Sequence, residues 1–178
     1  MRTAATEQKA KESMLVVGGQ ALIDEQVEGD FRDLTAQLQT VSGLKEGTVA
    51  VRFRTESKPV AATLLSASDT TAPSTNATLS LNSGVPHFES RQDGRYLALL
   101  NGTVSLTDGK DHVLAVSVTS TGTTLYADGA PIATTTGVGL LGQLSGLNGM
   151  WLGRNVDNGG PQWIYAGHLD RVAVYGGR

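Results

Sequence analysis

The sequence has no cysteine among its 178 residues, which excludes a disulfide framework, a thiolate metal site and a cysteine nucleophile. Only 17% of the residues are charged, and the net charge of -3 provides no basic stripe for nucleic acid or an anionic membrane. No apolar run approaches the roughly 20 residues of a membrane span, and residues 1–11 contain no apolar signal-peptide segment. We therefore predict no nucleic-acid partner and no membrane insertion.

The segment 112–134 predicts two consecutive β-hairpins. Every second residue from Leu114 to Val118 is apolar, which is the pattern of a strand with one buried face. The dipeptide Asp128-Gly129 supplies the positive-φ pair that a tight hairpin turn requires. The absence of any helical period in this segment favours an antiparallel all-β protein.

About twelve short segments of this kind, separated by turn residues, are typical of a sandwich or jelly roll. The predicted fold is therefore an all-β, antiparallel two-sheet β-sandwich, and the predicted core includes six alternating positions: Val49, Val51, Phe53, Leu114, Val116 and Val118. Residues 20–178 are predicted to form one domain, and residues 1–19 a polar leader, linker or cloning remnant.

Other local predictions are less sharply defined by the pattern. Phe31, Leu34 and Leu38 fit one side of a helical turn, but residues 33–35 fit a strand end equally well. The remaining expectations are an edge strand at 14–17, a meander strand at 102–106, a long polar loop at 155–162 and a closing strand pair at 163–175.

Three segments resemble the signature strands of the concanavalin A-like, laminin-G-like jelly rolls: LYADG at 125–129, MWLG at 150–153 and GHLDRVAVY at 167–175. A narrower resemblance is carried by residues 33–35, 44–55, 64–68 and 88–91. The order and spacing of these segments are similar to the lectin-like domain at the amino terminus of bacterial sialidases, the family 40 carbohydrate-binding module. The resemblance extends roughly over residues 20–175.

This resemblance implies recognition of terminal sialic acid on glycans by a non-catalytic sheet surface. It implies that the pair Glu89 and Arg91 contacts the sugar, with the arginine on its carboxylate. The family adds a second arginine and an aromatic residue from a loop that here spans 154–163. Trp163 occupies the aromatic position, whereas Asp157 stands where the arginine is expected and Arg154 is the nearest arginine.

The resemblance further implies a bacterial protein that is secreted or displayed at the cell surface. In such a protein the domain is a monomer, covalently attached to a sialidase catalytic domain that it targets to its substrate. We expect the export signal to lie outside this sequence.

Independently of this resemblance, the residue types at 87–91 support an anion-binding site. If Phe88 enters the core, then His87, Glu89 and Arg91 form a polar row on the outer face. The planar arginine fork matches a carboxylate, and a glutamate accepts hydrogen bonds from hydroxyl or amide groups, which suits a ligand with an acid and an N-acyl group. The alternative is a solvated ion pair between Glu89 and Arg91 that contributes little.

Two further pairs of residues have open interpretations. Trp163 and Tyr165 share a strand parity, which is compatible with a sugar platform and equally with core packing. Arg52 and Arg54 also share a face, which favours a solvated sheet surface over an extension of the anion site.

The sequence shows no metal-ligand or catalytic pattern. The three histidines are scattered, so no cofactor is predicted, although calcium at Asp69 or Asp157 stays open because calcium occurs elsewhere in the superfamily. No strand carries the carboxylate pair of a glucanase, and no repeated sialidase boxes occur, so we do not expect an enzyme. The remaining alternative is a structural or protein-binding laminin-G-like jelly roll without a sugar site.

Overall fold

A computed structural model of the chain describes residues 21–26 and 31–177. The predicted leader and the predicted strand at 14–17 lie outside the described residues. Fourteen strands lie within them: β1 (Ala21–Gln26), β2 (Arg32–Asp33), β3 (Gly47–Arg54), β4 (Ala62–Ser68), β5 (Asn76–Asn82), β6 (Val85–Gln92), β7 (Arg95–Asn101), β8 (His112–Thr119), β9 (Gly122–Ala127), β10 (Ala130–Thr135), β11 (Gly149–Leu152), β12 (Asn155–Asp157), β13 (Gly160–Gln162) and β14 (His168–Gly176).

The strands form two six-stranded sheets and one separate hairpin. Sheet A has the order β1-β14-β3-β8-β9-β10, sheet B has the order β2-β11-β4-β5-β6-β7, and β12 pairs with β13. Every strand pair is antiparallel. The predicted all-β, two-sheet antiparallel sandwich is confirmed.

Helical structure in the described part of the chain is short. A 3₁₀ turn (Thr35–Gln37) leads into helix α1 (Leu38–Val41), and a second 3₁₀ turn spans Leu141–Gln143. No helix within the described residues is long and apolar enough to cross a membrane. Both alternatives for the 31–38 segment are realised in succession, because strand β2 ends at Asp33 and the helical turns follow directly.

The inner face of sheet A forms one side of the core. The six predicted core residues are all 4% exposed or less, and Val49 lies opposite Val116 in the β3–β8 ladder. They belong to the same buried cluster as Leu79 and Phe88 of sheet B. Packing of the two inner faces is the expected core of a sandwich about 10 Å thick.

The outer face of sheet A is drier than the alternation predicts. Ala50, Val113 and Ala115 form a second buried cluster, against which the half-buried Tyr126 packs. The expectation of a single dry face for β3 and β8 is therefore wrong. These strands lie in the middle of the sheet, where longer side chains from flanking strands cover short ones.

The hairpin turns have the predicted backbone conformation. Asp128 and Gly129 between β9 and β10 have φ values of 49° and 86°, and Ser83 and Gly84 between β5 and β6 have 51° and 85°. Two consecutive positive-φ residues match the right-handed twist of the strands they join. The second of these turns determines which residues of β5 and β6 lie side by side.

Three local predictions need correction. Residues 102–111 form no strand, residues 155–162 form the β12–β13 hairpin instead of a loop, and the closing segment contains one strand, β14, instead of two. The hairpin lies against β4, where the Ser68 hydroxyl donates to the Val156 carbonyl at 2.6 Å. Short strands of three residues carry too little alternation to be distinguished from a loop by pattern.

His112 joins two connections at one end of sheet A. Its Nδ1 lies 2.8 Å from an Asp128 carboxylate oxygen, and its Nε2 lies 3.0 Å from Asp108. Burial opposes the charge on this imidazole, but the two carboxylates outweigh it and raise the pKa of His112 above its ordinary value. Protonated His112 therefore contributes its full stabilisation of the folded state at pH values below its unfolded-state pKa. This contribution is lost as pH rises through the raised folded-state pKa.

We predict that Leu114→Ala destabilises the fold by about 2 to 5 kcal/mol, because it removes a fully buried side chain from the centre of the core. The matched control is Leu99→Ala on exposed β7, which should cost less than about 1 kcal/mol. Urea unfolding followed by circular dichroism measures both. Equal midpoints for the two variants would contradict this placement of the core.

Candidate functional site

The β5–β6 hairpin presents a polar row on the outer face of sheet B. Leu79 lies opposite Phe88, and both point into the core, whereas Thr78 lies opposite Glu89 on the outer face. Side chains alternate along a strand, so His87 and Arg91 share the outer face with Glu89. The predicted row is confirmed as a geometric feature.

Glu89 is the centre of a hydrogen-bonded group that we call the Glu89 cluster: Asn76, His87, Glu89 and Arg91. Its Oε1 accepts from Nδ2 of Asn76 and from Nη2 of Arg91, both at 2.9 Å. Its Oε2 lies 3.4 Å from Nε2 of His87. Glu89 is only 7% exposed, so the simple solvated ion pair does not describe this arrangement.

The electrostatics of the cluster keep Glu89 ionised at neutral pH. Burial disfavours the carboxylate, but hydrogen bonds from His87 and Asn76 and the charge of Arg91 outweigh it, so the pKa of Glu89 lies below its usual value. Burial likewise disfavours the His87 imidazolium, yet hydrogen bonds to Glu89 and Asn101 raise the pKa of His87 above its ordinary value. Each group thus stabilises the charged form of the other.

Arg91 is held in place but keeps donor capacity. Its Nη2 donates to both Glu89 and Oδ1 of Asn76, the latter at 3.3 Å. Its guanidinium lies 5.5 Å from the ring centroid of Tyr96, within cation–π range. Nε is buried without a hydrogen-bond partner among the described residues, and no hydrogen bond to those residues uses Nη1. A positioned guanidinium with a free nitrogen is suited to an anionic ligand.

A surface hollow of about 170 Å³ adjoins the cluster and has Trp163 on its wall. This volume is smaller than the roughly 300–1,000 Å³ typical of drug-sized ligand sites, so the hollow accommodates part of a small ligand and does not enclose it. The Trp163 carbonyl accepts from the Thr63 amide at 2.8 Å, which fixes this segment over β4. The hollow is lined by Val60, Ala61, Ser80, Asn82, His87, Glu89 and Trp163.

Trp163 and Glu89 therefore line the same hollow. Arg91 is the next residue after Glu89 whose side chain lies on the outer face of β6. Sequence reasoning did not assign Asn76 or Val60 to this surface. Asn76 lies directly opposite Arg91 in the β5–β6 ladder, so counting residues back from the turn would have found it. Val60 is 86% exposed at the mouth of the hollow, and no local pattern indicates that.

Two residues from the 154–163 segment do not join the cluster. The Arg154 guanidinium lies 3.4 Å from the ring centroid of Phe31, which precedes edge strand β2, and three strands separate β2 from β6. The Asp157 carboxylate accepts from the Gly159 amide at 2.8 Å and from Nε2 of Gln162 at 2.6 Å. Arg154 thus packs at the edge of the sheet, and Asp157 holds the β12–β13 turn.

Tyr165 belongs to the core, so its prediction as part of a sugar platform is wrong. It is 1% exposed, its hydroxyl donates to the Arg54 carbonyl at 2.7 Å, and its ring meets Phe53 edge to face. Burial raises the pKa of its hydroxyl. Trp163 has a φ of 51° and lies outside any strand, so strand parity does not relate the two rings.

Arg52 and Arg54 lie on the outer face of the other sheet and do not extend the Glu89 cluster. Arg52 pairs with Asp111 at 3.1 Å and with Asp170 at 3.2 Å, and Arg54 approaches Asp111 at 3.8 Å. Within the described residues no group of three or more histidine, aspartate or glutamate side chains is arranged to hold a metal ion.

The profile of a laminin-G-like family, described as the concanavalin A-like lectin/glucanases superfamily, matches residues 29–178. The chain belongs to this superfamily. The predicted lectin-like jelly roll is thereby confirmed. No curated protein sequence matches the chain.

Several solved structures share the fold. The CBM40 domain of a Ruminococcus gnavus IT-sialidase bound to α2,3-sialyllactose is 22% identical, with a TM-score of 0.77 over 88% of this chain and 92% of that one. A leech intramolecular trans-sialidase is 18% identical, with a TM-score of 0.76 over 89% of this chain and 26% of that one. Mouse laminin α1 domains LG4-5 are 19% identical, with a TM-score of 0.53 over 75% and 34%.

We predict that Tyr165→Phe destabilises the fold by about 1 to 2 kcal/mol, because the partly buried carbonyls of Arg54 and His168 lose the hydroxyl that donates to them. The matched control is Tyr96→Phe at the exposed end of β7, where removal of the hydroxyl should change stability by less than about 0.5 kcal/mol. Thermal unfolding compares the two. An unchanged Tyr165→Phe protein would show that this ring is not held as described.

Proposed function

We propose that the chain is a non-catalytic carbohydrate-binding module that recognises terminal sialic acid on glycans. The observation that carries the proposal is the positioned Arg91 guanidinium: no hydrogen bond to the described residues uses its Nη1, and its partner Glu89 walls a hollow together with Trp163. The fold of this chain is shared by the CBM40 domain of the R. gnavus IT-sialidase, which binds α2,3- and α2,6-sialyllactose. That likeness supports the choice of ligand.

Each group has a role that follows from its chemistry. Arg91 donates hydrogen bonds to the sugar carboxylate, and the charge makes these bonds stronger than neutral ones. Glu89 accepts from a hydroxyl or amide of the same sugar through Oε2, the oxygen that among the described residues only His87 approaches. Trp163 offers an apolar ring against which the sugar or its N-acyl group packs.

Affinity should be low, because a single monosaccharide on an open sheet buries little surface. Arg154 stacks on Phe31 and Asp157 holds a turn. Arg91 is therefore the arginine that binds the sugar carboxylate at the proposed site. Weak binding by an isolated module is compatible with a tethering role, in which attachment to a catalytic domain raises the effective concentration. We propose a secreted or cell-surface module of this kind that targets an attached sialidase and works as a monomer without a cofactor.

We predict that Arg91→Ala weakens sialyllactose binding about 10- to 100-fold, because it removes charge-assisted hydrogen bonds of roughly 1.5 to 3 kcal/mol each. Arg91→Lys should also bind poorly, since an ammonium cannot reproduce the planar fork. NMR titration measures the affinities of all variants.

The matched control is Arg54→Ala, which removes an arginine from the outer face of the other sheet and should leave binding unchanged. Thermal unfolding of each variant verifies that the fold is kept. If Arg91→Ala binds as tightly as the parent, the sugar site is not at the Glu89 cluster.

We predict that the isolated protein hydrolyses no sialoside. A glycosidase needs two carboxyl groups about 5 to 10 Å apart, whereas the Glu89 cluster contains one carboxylate that Arg91 and Asn76 already engage. A fluorogenic sialoside assay with pure protein should show no turnover above buffer. Turnover that disappears on mutation of Glu89 would contradict a purely binding role.

A protein-binding jelly roll without a sugar site is the second candidate. The observation that favours it is the mutual pairing of Glu89 and Arg91, which satisfies both charges in the absence of any ligand. A glycan array with sialylated structures and their desialylated counterparts separates the two candidates. Signals confined to the sialylated members support the lectin, and no signal on either set supports the protein-binding module.

A further inference from the structure

The charge of the row on β6 changes within the physiological pH range. Arg91 is a permanent cation, Glu89 is ionised, and His87 carries a charge only when it is protonated. The row is therefore neutral when His87 is neutral and has one net positive charge when His87 is protonated. An anionic ligand is attracted more strongly to the positively charged row than to the neutral row.

The surroundings of His87 favour the protonated state. Its Nδ1 lies 2.8 Å from Oδ1 of Asn101, and its Nε2 lies 3.4 Å from Oε2 of Glu89. Both partners present acceptor oxygens, and only the imidazolium has a donor on each nitrogen. With the Asn101 amide in this orientation the neutral ring keeps one of these two hydrogen bonds, and the second requires the amide to turn its Nδ2 toward the ring.

His87 also lines the hollow in which the sugar is proposed to lie. The groups that face it there are Ser80 and Asn82 from β5, Val60 and Ala61 from the preceding segment, and Trp163, all uncharged. Asn101 of β7 is uncharged as well, so the charged neighbours among the described residues are Glu89 and Arg91 on its own strand. No other described group offsets the charge that His87 gains.

We infer that His87 is a specificity-determining residue that makes recognition of an anionic sugar dependent on pH, with tighter binding at mildly acidic pH. This inference rests on the proposed sialic acid site. Nε2 of His87 and Nη2 of Arg91 contact the two oxygens of one carboxylate, at 3.4 Å and 2.9 Å. A sugar carboxylate on Arg91 therefore lies within about one Debye length of His87, and the charge of His87 contributes a factor of about 3 to 10 in affinity. Thermodynamic reciprocity requires that the bound sugar raise the pKa of His87 by the same coupling.

The first test is the affinity of the protein for sialyllactose by NMR titration from pH 5 to pH 8. We expect about 3- to 10-fold tighter binding at pH 5 than at pH 8. His87→Gln keeps a hydrogen-bonding side chain without a titratable charge, so its affinity, whatever its absolute value, should be flat over this range. Neutral lactose should bind neither protein.

The second test needs no variant. The imidazole signals of His87 and His112 are titrated with and without saturating sialyllactose, and the pKa of His87 should rise while that of His112, which lies on sheet A, does not move. A parent affinity that is flat with pH, a variant that keeps the parent slope, or an unmoved His87 pKa overturns the inference while the lectin function stands. Absence of binding at every pH overturns the proposed function itself.

Discussion

Side-chain alternation along β6 places the core and the candidate site on opposite faces of one strand. Phe88 is buried against Leu79, and this contact requires that Glu89 and Arg91 face outward. A slip of one residue in the β5–β6 register would move every side chain to the other face. The positive-φ turn at Ser83 and Gly84 prevents this slip, so the site depends on core packing and on one tight turn.

The outer face of sheet B supports a charged group that is mostly removed from water. A buried carboxylate costs free energy unless it is paired and hydrogen-bonded, and Glu89 has three partners within its cluster. The same contacts hold the Arg91 guanidinium against Tyr96 before any ligand arrives. A site that is ordered in advance loses less conformational entropy on binding, which matters when the ligand is small.

The connection from β11 to β14 decides which residues of the 154–163 segment reach the Glu89 cluster. It folds as a short hairpin across β4, with Arg154 stacked on Phe31 and Trp163 turned toward Glu89. Among the described residues no permanent cation lines the hollow itself; Arg91 lies next to it through its contact with Glu89, and the titratable His87 lines its wall. Sheet strands preserve the fold among proteins of about 20% identity, while such connections decide which side chains reach the surface they share.

The sequence by itself determined the all-β class, the six core positions, the hairpin turns and the shared face of His87, Glu89 and Arg91. These features depend on neighbours within a few residues, where a period of two and positive-φ dipeptides act directly. Only the tertiary structure decided that Arg154 packs on Phe31 and that Tyr165 lies in the core while Trp163 does not. Those outcomes depend on strand pairing and on the path of an irregular connection, where non-local contacts outweigh any local pattern.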